Sequence, residues 1–187
     1  DADEYHAKGG PLSVTKHVPD DVLFPRFIKA AQNRGYKVQD DHHGPDQEGW
    51  GSPDISIHQG RRGSTAARFL YPAMKRPNLT VASGAHATRI EVAQGRAVAV
   101  HYRQDGEDKR VEARREIVLS GGTYNSPQLL MLSGIGPAED MREHGIDVVH
   151  DLPGVGRNLQ DHPSVAMIWN AKREATLNPD LRMDRIP

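Results

Sequence analysis

The stretch 120–136 has the residue pattern best suited to binding a cofactor. A short apolar run, 117–119, leads into the pair Gly121-Gly122, and an apolar helix is predicted to follow, with capping residue types just before Pro127 at its first position. In α/β proteins a buried strand, a glycine pair and a helix start bring backbone N–H groups up to a phosphate. The spacing is not G-x-G-x-x-G, so the pattern predicts a cofactor approach without naming the cofactor.

Two polar clusters invite a metal-binding or catalytic interpretation. The residues of 40–43, DDHH, offer carboxylate and imidazole groups that suit zinc or iron. No second cluster at ligand spacing accompanies them, so we predict a polar loop and no metal site. Asp161 and His162 suggest a catalytic dyad. A carboxylate rarely orients the imidazole of its sequence neighbour, and no nucleophile motif is present, so we predict a structural or cofactor-shaping role.

The composition excludes several classes of function. The 187 residues have a formal charge of −1, from 24 basic and 25 acidic side chains, which gives no electrostatic basis for binding nucleic acid or anionic membranes. The absence of cysteine excludes disulfides and thiol catalysis. No apolar run approaches the roughly 18 to 20 residues of a membrane span, and no targeting pattern opens the chain. The default expectation is a soluble, cytoplasmic protein.

The periodicity of apolar residues predicts two kinds of structure along the chain. Helices are expected at 21–35 and 64–72, with an alternating, half-buried strand at 54–59 between them. From Asn78 the period changes to two, which predicts a β-meander. The strands of the meander are expected at 79–81, 88–92, 96–103 and 109–113, with tight turns at Gln94-Gly95 and Asp105-Gly106. After the meander, the sequence predicts a buried strand at 116–120, a helix from Pro137 and a strand at 146–150.

The sequence from Ser120 to His162, SGGTYNSPQLLMLSGIGPAEDMREHGIDVVHDLPGVGRNLQDH, resembles the second signature region of the glucose–methanol–choline (GMC) oxidoreductases. The match continues upstream through GRRGSTAARFLYPAMKRPNLTV and back to GGPLSV, so it covers nearly the whole chain. The branch that it resembles is that of choline dehydrogenases and related alcohol dehydrogenases. Enzymes of this family use FAD to oxidise alcohols.

This resemblance implies the fold and the domain organisation. It implies a mixed α/β (α+β) fold that combines part of a Rossmann-like FAD-binding domain, including the meander, with part of an antiparallel-sheet substrate domain. Residues 1–62 are expected in the substrate domain and 63–163 in the FAD-binding domain. Residues 164–187 are expected to begin a segment that returns to the substrate domain.

The resemblance also implies which residues contact the cofactor. The main chain at Ala87 is expected to approach the adenine end of FAD, where the family usually has valine. Residues 154–162 are expected close to the flavin and the substrate entrance. The predicted cofactor-binding residues are Ala87, Ser120, Gly121, Gly122, Asn158, Asp161 and His162, and no catalytic residue is assigned.

Two parts of the family pattern have no match here: the N-terminal G-x-G-x-x-G and the C-terminal active-site histidine region. We therefore predict the central fragment of an FAD-dependent oxidoreductase that acts on the CH–OH group of choline or another primary alcohol. The fragment alone is expected to be inactive, with the flanking parts of the enzyme and a small alcohol as its partners. Two alternatives stay open, a non-catalytic binding or assembly module without flavin and a metal-dependent hydrolase built on 40–43 and Asp161-His162.

Overall fold

The structure, a computed structural model, describes residues 3–17, 19 and 21–170. They form two compact units: unit 1 comprises the described parts of Asp1–Thr80 and Ala166–Pro187, and unit 2 comprises Val81–Val165. The domain boundaries expected at 62/63 and 163/164 stay predictions, and most of the expected returning segment 164–187 lies outside the described residues. Within the described ranges, no helix has both the length and the apolar character that crossing a bilayer requires.

Unit 1 contains the predicted first helix, α1 (Phe24–Asn33). The carboxylate Oδ1 of Asp21 accepts hydrogen bonds from the N–H groups of Leu23, at 2.6 Å, and Phe24, at 2.8 Å. This satisfies donors that the helix itself leaves unpaired. Pro25 lies in the first turn, where its missing N–H costs nothing. The predicted helix is confirmed, with its start at Phe24 and not at Asp21.

Short antiparallel strand pairs make up the sheet structure of unit 1. The predicted strand 54–59 is present but is interrupted at Ser56, so that its halves pair with different partners. The pairs are β1 (Thr15–Lys16) with β2 (Asp54–Ile55), and β3 (Ile57–His58) with β4 (Arg61–Arg62).

The second predicted helix of unit 1 follows the last of these strands. The Oγ of Ser64 accepts a hydrogen bond from the N–H of Ala67 at 3.2 Å, as expected of a capping residue. A π-helical turn, Ala66–Leu70, then continues into α2 (Tyr71–Ala73). The predicted helix 64–72 is confirmed, although most of it has the wider π geometry.

Unit 2 is built on the predicted meander, which has three strands: β5 (His86–Ala93), β6 (Arg96–Gln104) and β7 (Glu107–Glu112). They are antiparallel in the order β5–β6–β7. All four central turn residues at 94–95 and 105–106 have positive φ, which defines type I′ turns and confirms the predicted pairs. The strand expected at 79–81 is wrong. No further strand pairs with the outer edge of β5 in the part of the chain that the structure describes. On that edge the N–H of Ile90 donates to Ser133 Oγ at 2.8 Å.

The segment 116–120, expected to be a buried strand, is irregular in the structure. Val118 is 78% exposed, although the apolar run around it is typical of a strand covered on both faces. A strand needs a hydrogen-bonding neighbour, and none of the strands that the structure describes pairs with this segment. The prediction is therefore wrong for this chain by itself, and the apolar surface of the segment lies open.

After this segment, α3 (Gly122–Leu132) begins five residues earlier than predicted. Pro127 was expected at the first helical position but lies inside the helix. The chain can turn into the helix at Gly122, because its φ of +86° is open to glycine. Pro127 has no N–H, so the carbonyl of Thr123, four residues earlier, loses its α-helical donor.

A small parallel pair and one more helix complete unit 2. The pair joins β8 (Ile135–Gly136) to β9 (His150–Asp151), so the strand expected at 146–150 is reduced to its last residue and Asp151. The predicted helix after Pro137 is confirmed as α4 (Ala138–Glu143). The Oδ1 of Asp151 accepts a hydrogen bond from the N–H of Ala138 at 3.0 Å and so fixes β9 to the start of α4.

Candidate cofactor site

A cleft of about 520 Å³ lies in unit 2 beside α3. One wall is the face of the helix that runs from Thr123 to Met131, and the other is the loop 156–160. The volume is within the range of about 300 to 1,000 Å³ that is usual for small-molecule and cofactor sites. The lining residues are Thr123, Tyr124, Pro127, Met131, Gly156, Arg157, Asn158, Leu159 and Gln160.

The start of α3 gives this cleft its hydrogen-bonding capacity. The first four N–H groups of a helix have no acceptor within the helix. The N-cap residue is Gly121, and no side chain caps the helix. The positive end of the helix dipole is therefore not neutralised by a capping group. The carbonyl of Thr123, freed by Pro127, adds an acceptor next to these donors. An anion or a polar cofactor atom can therefore bind at this wall.

The loop wall is held in place from two sides. A Cβ built on Gly156 would lie 3.6 Å from Met131 Cε, so the loop packs closely on α3. Arg157 Nη2 donates to Asp140 Oδ2 at 2.8 Å, which ties the loop to α4. Asn158 adopts a left-handed backbone with φ +57°, a conformation that asparagine tolerates better than most residues.

The residues that line the cleft determine its possible chemistry. They include hydroxyl groups, amides and one guanidinium, but no carboxylate, imidazole or amine. The guanidinium is already paired with Asp140. The cleft can therefore bind and orient a ligand, and Tyr124 is the lining residue of a type that can transfer a proton.

The structure brings only some of the predicted cofactor residues together. Asn158 lines the cleft, and Ser120, Gly121 and Gly122 lead directly into its first lining residue, Thr123. Ala87 lies on β5 and pairs with Tyr102, and it does not line this cleft. The strand β5 is hydrogen-bonded to Ser133, which follows the C-terminal end of α3, whereas the cleft contains residues of its N-terminal end. The cofactor roles of these residues stay predictions.

Asp161 and His162 are exposed and lie just past the lining loop. The Oδ1 of Asp161 accepts a hydrogen bond from the backbone N–H of His162 at 2.8 Å. This oxygen is therefore engaged by the main chain of its neighbour and not by its imidazole. The cofactor-shaping role expected of the two residues stays a prediction.

Several lining residues were missed from the sequence. Thr123 and Tyr124 precede the predicted helix start at Pro127, Met131 was expected only as a buried residue of the helix, and Gln160 was not singled out within the stretch 154–162. No local signal favoured the earlier start, because 122–126, GTYNS, consists of weak helix formers and the residue before a proline is disfavoured in a helix. The role of Met131 as the contact between helix and loop depends on tertiary packing.

A second cleft, of about 410 Å³, lies in unit 1 and combines aromatic with acidic residues. The rings of Tyr36 and Trp50 are 6.2 Å apart between centroids, and Glu48 and Asp46 also line the cleft. Lys37 forms an ion pair with Asp46, whose pKa is lowered by this hydrogen bond and by one from the backbone of Glu48. Aromatic faces and carboxylates are the groups that bind quaternary ammonium ions.

Comparison with known proteins identifies the family. The family model described as GMC oxidoreductase matches residues 2–164. The chain belongs to the GMC oxidoreductase family. The resemblance noted in 120–162 is thereby confirmed, as is the mixed α/β fold class.

Individual GMC relatives agree with this assignment. The chain is 42% identical over 179 residues to the oxygen-dependent choline dehydrogenase of Brucella canis, covering 96% of this chain and 32% of that protein. It is 43% identical over 177 residues to the mitochondrial choline dehydrogenase of Homo sapiens, covering 95% of this chain and 30% of that protein. The solved FAD-dependent oxidoreductase from Chaetomium thermophilum matches with a TM-score of 0.75 and 28% identity, over 82% of this chain and 27% of that one. The chain thus spans about a third of the length of its curated relatives.

Proposed function

We propose that the protein is the central part of an FAD-dependent oxidoreductase that converts the CH–OH group of a small alcohol, such as choline, to an aldehyde. The observation that carries this proposal is the uncapped start of α3 facing the loop 156–160, in a chain that matches the GMC family over residues 2–164. When bound, FAD would accept the hydride removed from the alcohol carbon. A cytoplasmic location also stays a proposal, which cell fractionation would test.

The groups present fit part of such a cofactor. Free N–H donors at the start of α3 suit phosphate or carbonyl oxygens, and Met131 and Leu159 provide apolar contact area. The lining has no carboxylate, imidazole or amine, and we assign the removal of the hydroxyl proton to a part of the enzyme outside this chain. We accordingly expect the chain alone to bind FAD weakly or not at all and to be inactive.

The exposed apolar side chains support a role as one part of a larger enzyme. In unit 2, Val118, Tyr124 and Val165 are 78%, 74% and 86% exposed. Apolar surface of this kind is usually covered by a partner or by further polypeptide. The remaining parts of the same enzyme are the proposed cover, and pairing of 116–120 with a neighbouring strand would restore the strand that its sequence predicts.

The substrate preference is proposed from the cleft at Trp50. A cation held between aromatic and acidic groups is favoured over a neutral molecule of the same shape by about 0.5 to 2 kcal/mol. The test uses a chimaera, in which this chain replaces the 177 matching residues of human choline dehydrogenase. Oxidation with an artificial electron acceptor would then be compared for choline and for 3,3-dimethylbutan-1-ol, its uncharged isostere.

We expect the chimaera to oxidise alcohols and to prefer choline, and Trp50→Leu to reduce that preference. Equal rates with both alcohols would overturn the choline assignment and leave alcohol oxidation in place. A folded chimaera that contains no flavin and oxidises neither alcohol would overturn the proposed function and favour a non-catalytic module.

A further inference from the structure

We propose that Asp41, His43 and Asp54 form a binding site for a divalent transition-metal ion such as Zn²⁺. One possible ligand atom from each of Asp41, His43 and Asp54 lies within 4.8 Å of the other two. The sequence showed only the cluster 40–43, because Asp54 lies outside it, on β2. The site lies within unit 1 and does not depend on the proposed flavin chemistry.

The distance between His43 and Asp54 is that expected across a metal ion. His43 Nδ1 lies 3.6 Å from Asp54 Oδ2. Charged N–H···O hydrogen bonds are shorter, about 2.7–2.9 Å. Two donors bound at about 2.0–2.2 Å in tetrahedral geometry are separated by roughly 3.3–3.6 Å. These two groups are therefore too far apart for a direct hydrogen bond and correctly spaced to share an ion.

The charges of the cluster favour a cation. Two carboxylates, of Asp41 and Asp54, lie close together, and like charges at this distance repel. In the part of the chain that the structure describes, their ion pairs are with His6 and His43, and none involves lysine or arginine. A divalent ion would balance both carboxylates. One imidazole with two carboxylates forms a mixed nitrogen and oxygen set that suits zinc or iron.

The site is also accessible and fixed in part by the backbone. Asp54 is the most buried of the ligands, with 20% of its side chain exposed, and His43 is the most open, at 61%. The backbone N–H of His43 donates to Asp41 Oδ1 at 2.8 Å, which holds the loop conformation and leaves Oδ2 for the ion. An ion can enter from the side of His43 without a rearrangement of β2.

The test is calorimetric titration of Zn²⁺ into the tag-free, chelator-treated chain of 187 residues. We expect one saturable site per chain, and an affinity at least tenfold lower in His43→Gln and in Asp54→Asn. His42→Gln is the matched control, since His42 is the adjacent residue and lies outside the ligand group. It should leave the affinity within about twofold.

Two results would overturn the proposal. One is the absence of saturable binding at one ion per chain. The other is equal weakening by His42→Gln and His43→Gln, which would indicate unspecific binding to surface histidines. If Asp54→Asn does not fold, His43→Gln alone decides, because its exposed side chain can be replaced without disturbing the core. Neither result affects the proposed flavin function.

Discussion

The guanidinium of Arg110 binds the carboxylate of Glu91 through two hydrogen bonds, from Nε to Oε2 at 2.8 Å and from Nη2 to Oε1 at 3.1 Å. The two residues are on β7 and β5, which are separated by β6. On β6, the register places Ala99 opposite Glu91 and His101 opposite Arg110. Ala99 is fully buried and small, so the arginine side chain can pass over the middle strand. The pair thus connects the outer strands of the meander.

Removing this carboxylate should change how stability depends on pH. The pKa of Glu91 is lowered from 4.5 to about 2, first by the hydrogen bond from Arg110 and then by that from His101. A lowered folded-state pKa gives stability that is present above about pH 4.5 and is lost as the pH falls towards about 2. We expect the urea midpoint of the unmodified chain to fall more steeply over this range than that of Glu91→Gln. Parallel curves, measured by circular dichroism, would contradict the role of the pair.

The control for this experiment is Glu116→Gln. Glu116 is exposed, and within the described ranges it makes no ion pair. This variant removes the same charge and should keep the pH dependence of the unmodified chain.

Ser133→Ala should destabilise unit 2 by about 1 to 3 kcal/mol, the usual cost of an unpaired buried polar group. Ser133 Oγ accepts from the N–H of Ile90 at 2.8 Å and donates to the carbonyl of Leu129 at 2.5 Å. Ser133 and Ile90 are both buried, so water cannot replace the lost acceptor. Denaturant unfolding measures the change, and exposed Ser83→Ala should stay within about 0.5 kcal/mol. An equal effect of both substitutions would show that the contact to β5 is unimportant.

Gly134→Ala should cost several times more free energy of unfolding than Gly145→Ala. Both glycines have positive φ, +83° and +68°, so both variants include the backbone cost of about 1 kcal/mol. At Gly134 an added Cβ would lie 2.5 Å from the carbonyl oxygen of Asp147 and 2.7 Å from Val149 Cγ2, whereas at Gly145 nothing lies within 4 Å. The difference between the two therefore isolates the steric clash beside the β8–β9 pair. Equal unfolding midpoints would contradict this packing.

Local patterns in the sequence were sufficient for structure that is stabilised locally. The meander could be predicted because alternation and turn pairs such as Asp105-Gly106 specify strands and their connections within a few residues. The Asp21 cap and α1 were predictable for the same reason. The strand expected at 116–120 failed because a strand needs a partner, and pairing depends on residues that no local pattern contains.

The candidate cofactor site was predictable in part. The glycine pair before α3 and Asn158 belong to the stretch that resembles the family, so both walls of the cleft were anticipated. Their contact through Met131 and Gly156 is a matter of tertiary packing and could not be inferred. The proposed metal site could also be predicted only in part, since Asp41 and His43 were visible in sequence but Asp54 becomes their neighbour only in the fold.

Asn158→Gly tests whether the loop wall contacts the cofactor. Glycine keeps the left-handed backbone of Asn158, φ +57°, and removes only the amide. In the chimaera with human choline dehydrogenase, loss of one hydrogen bond should weaken FAD binding by about 2- to 10-fold. Gln94→Gly, at φ +52° in a hairpin turn outside the cleft, is the matched control and should leave the affinity unchanged. Equal FAD affinities in the two variants would contradict a contact between Asn158 and the cofactor.

The central proposal, that this chain is the middle of a flavin enzyme, is tested most directly by the FAD content after gel filtration. The 187-residue chain alone and the chimaera would be purified in parallel and their flavin counted per polypeptide. We expect little or no FAD on the chain alone and about one FAD on the chimaera. A folded chimaera without flavin would contradict the proposed function. Stoichiometric flavin on the chain alone would contradict its dependence on the rest of the enzyme.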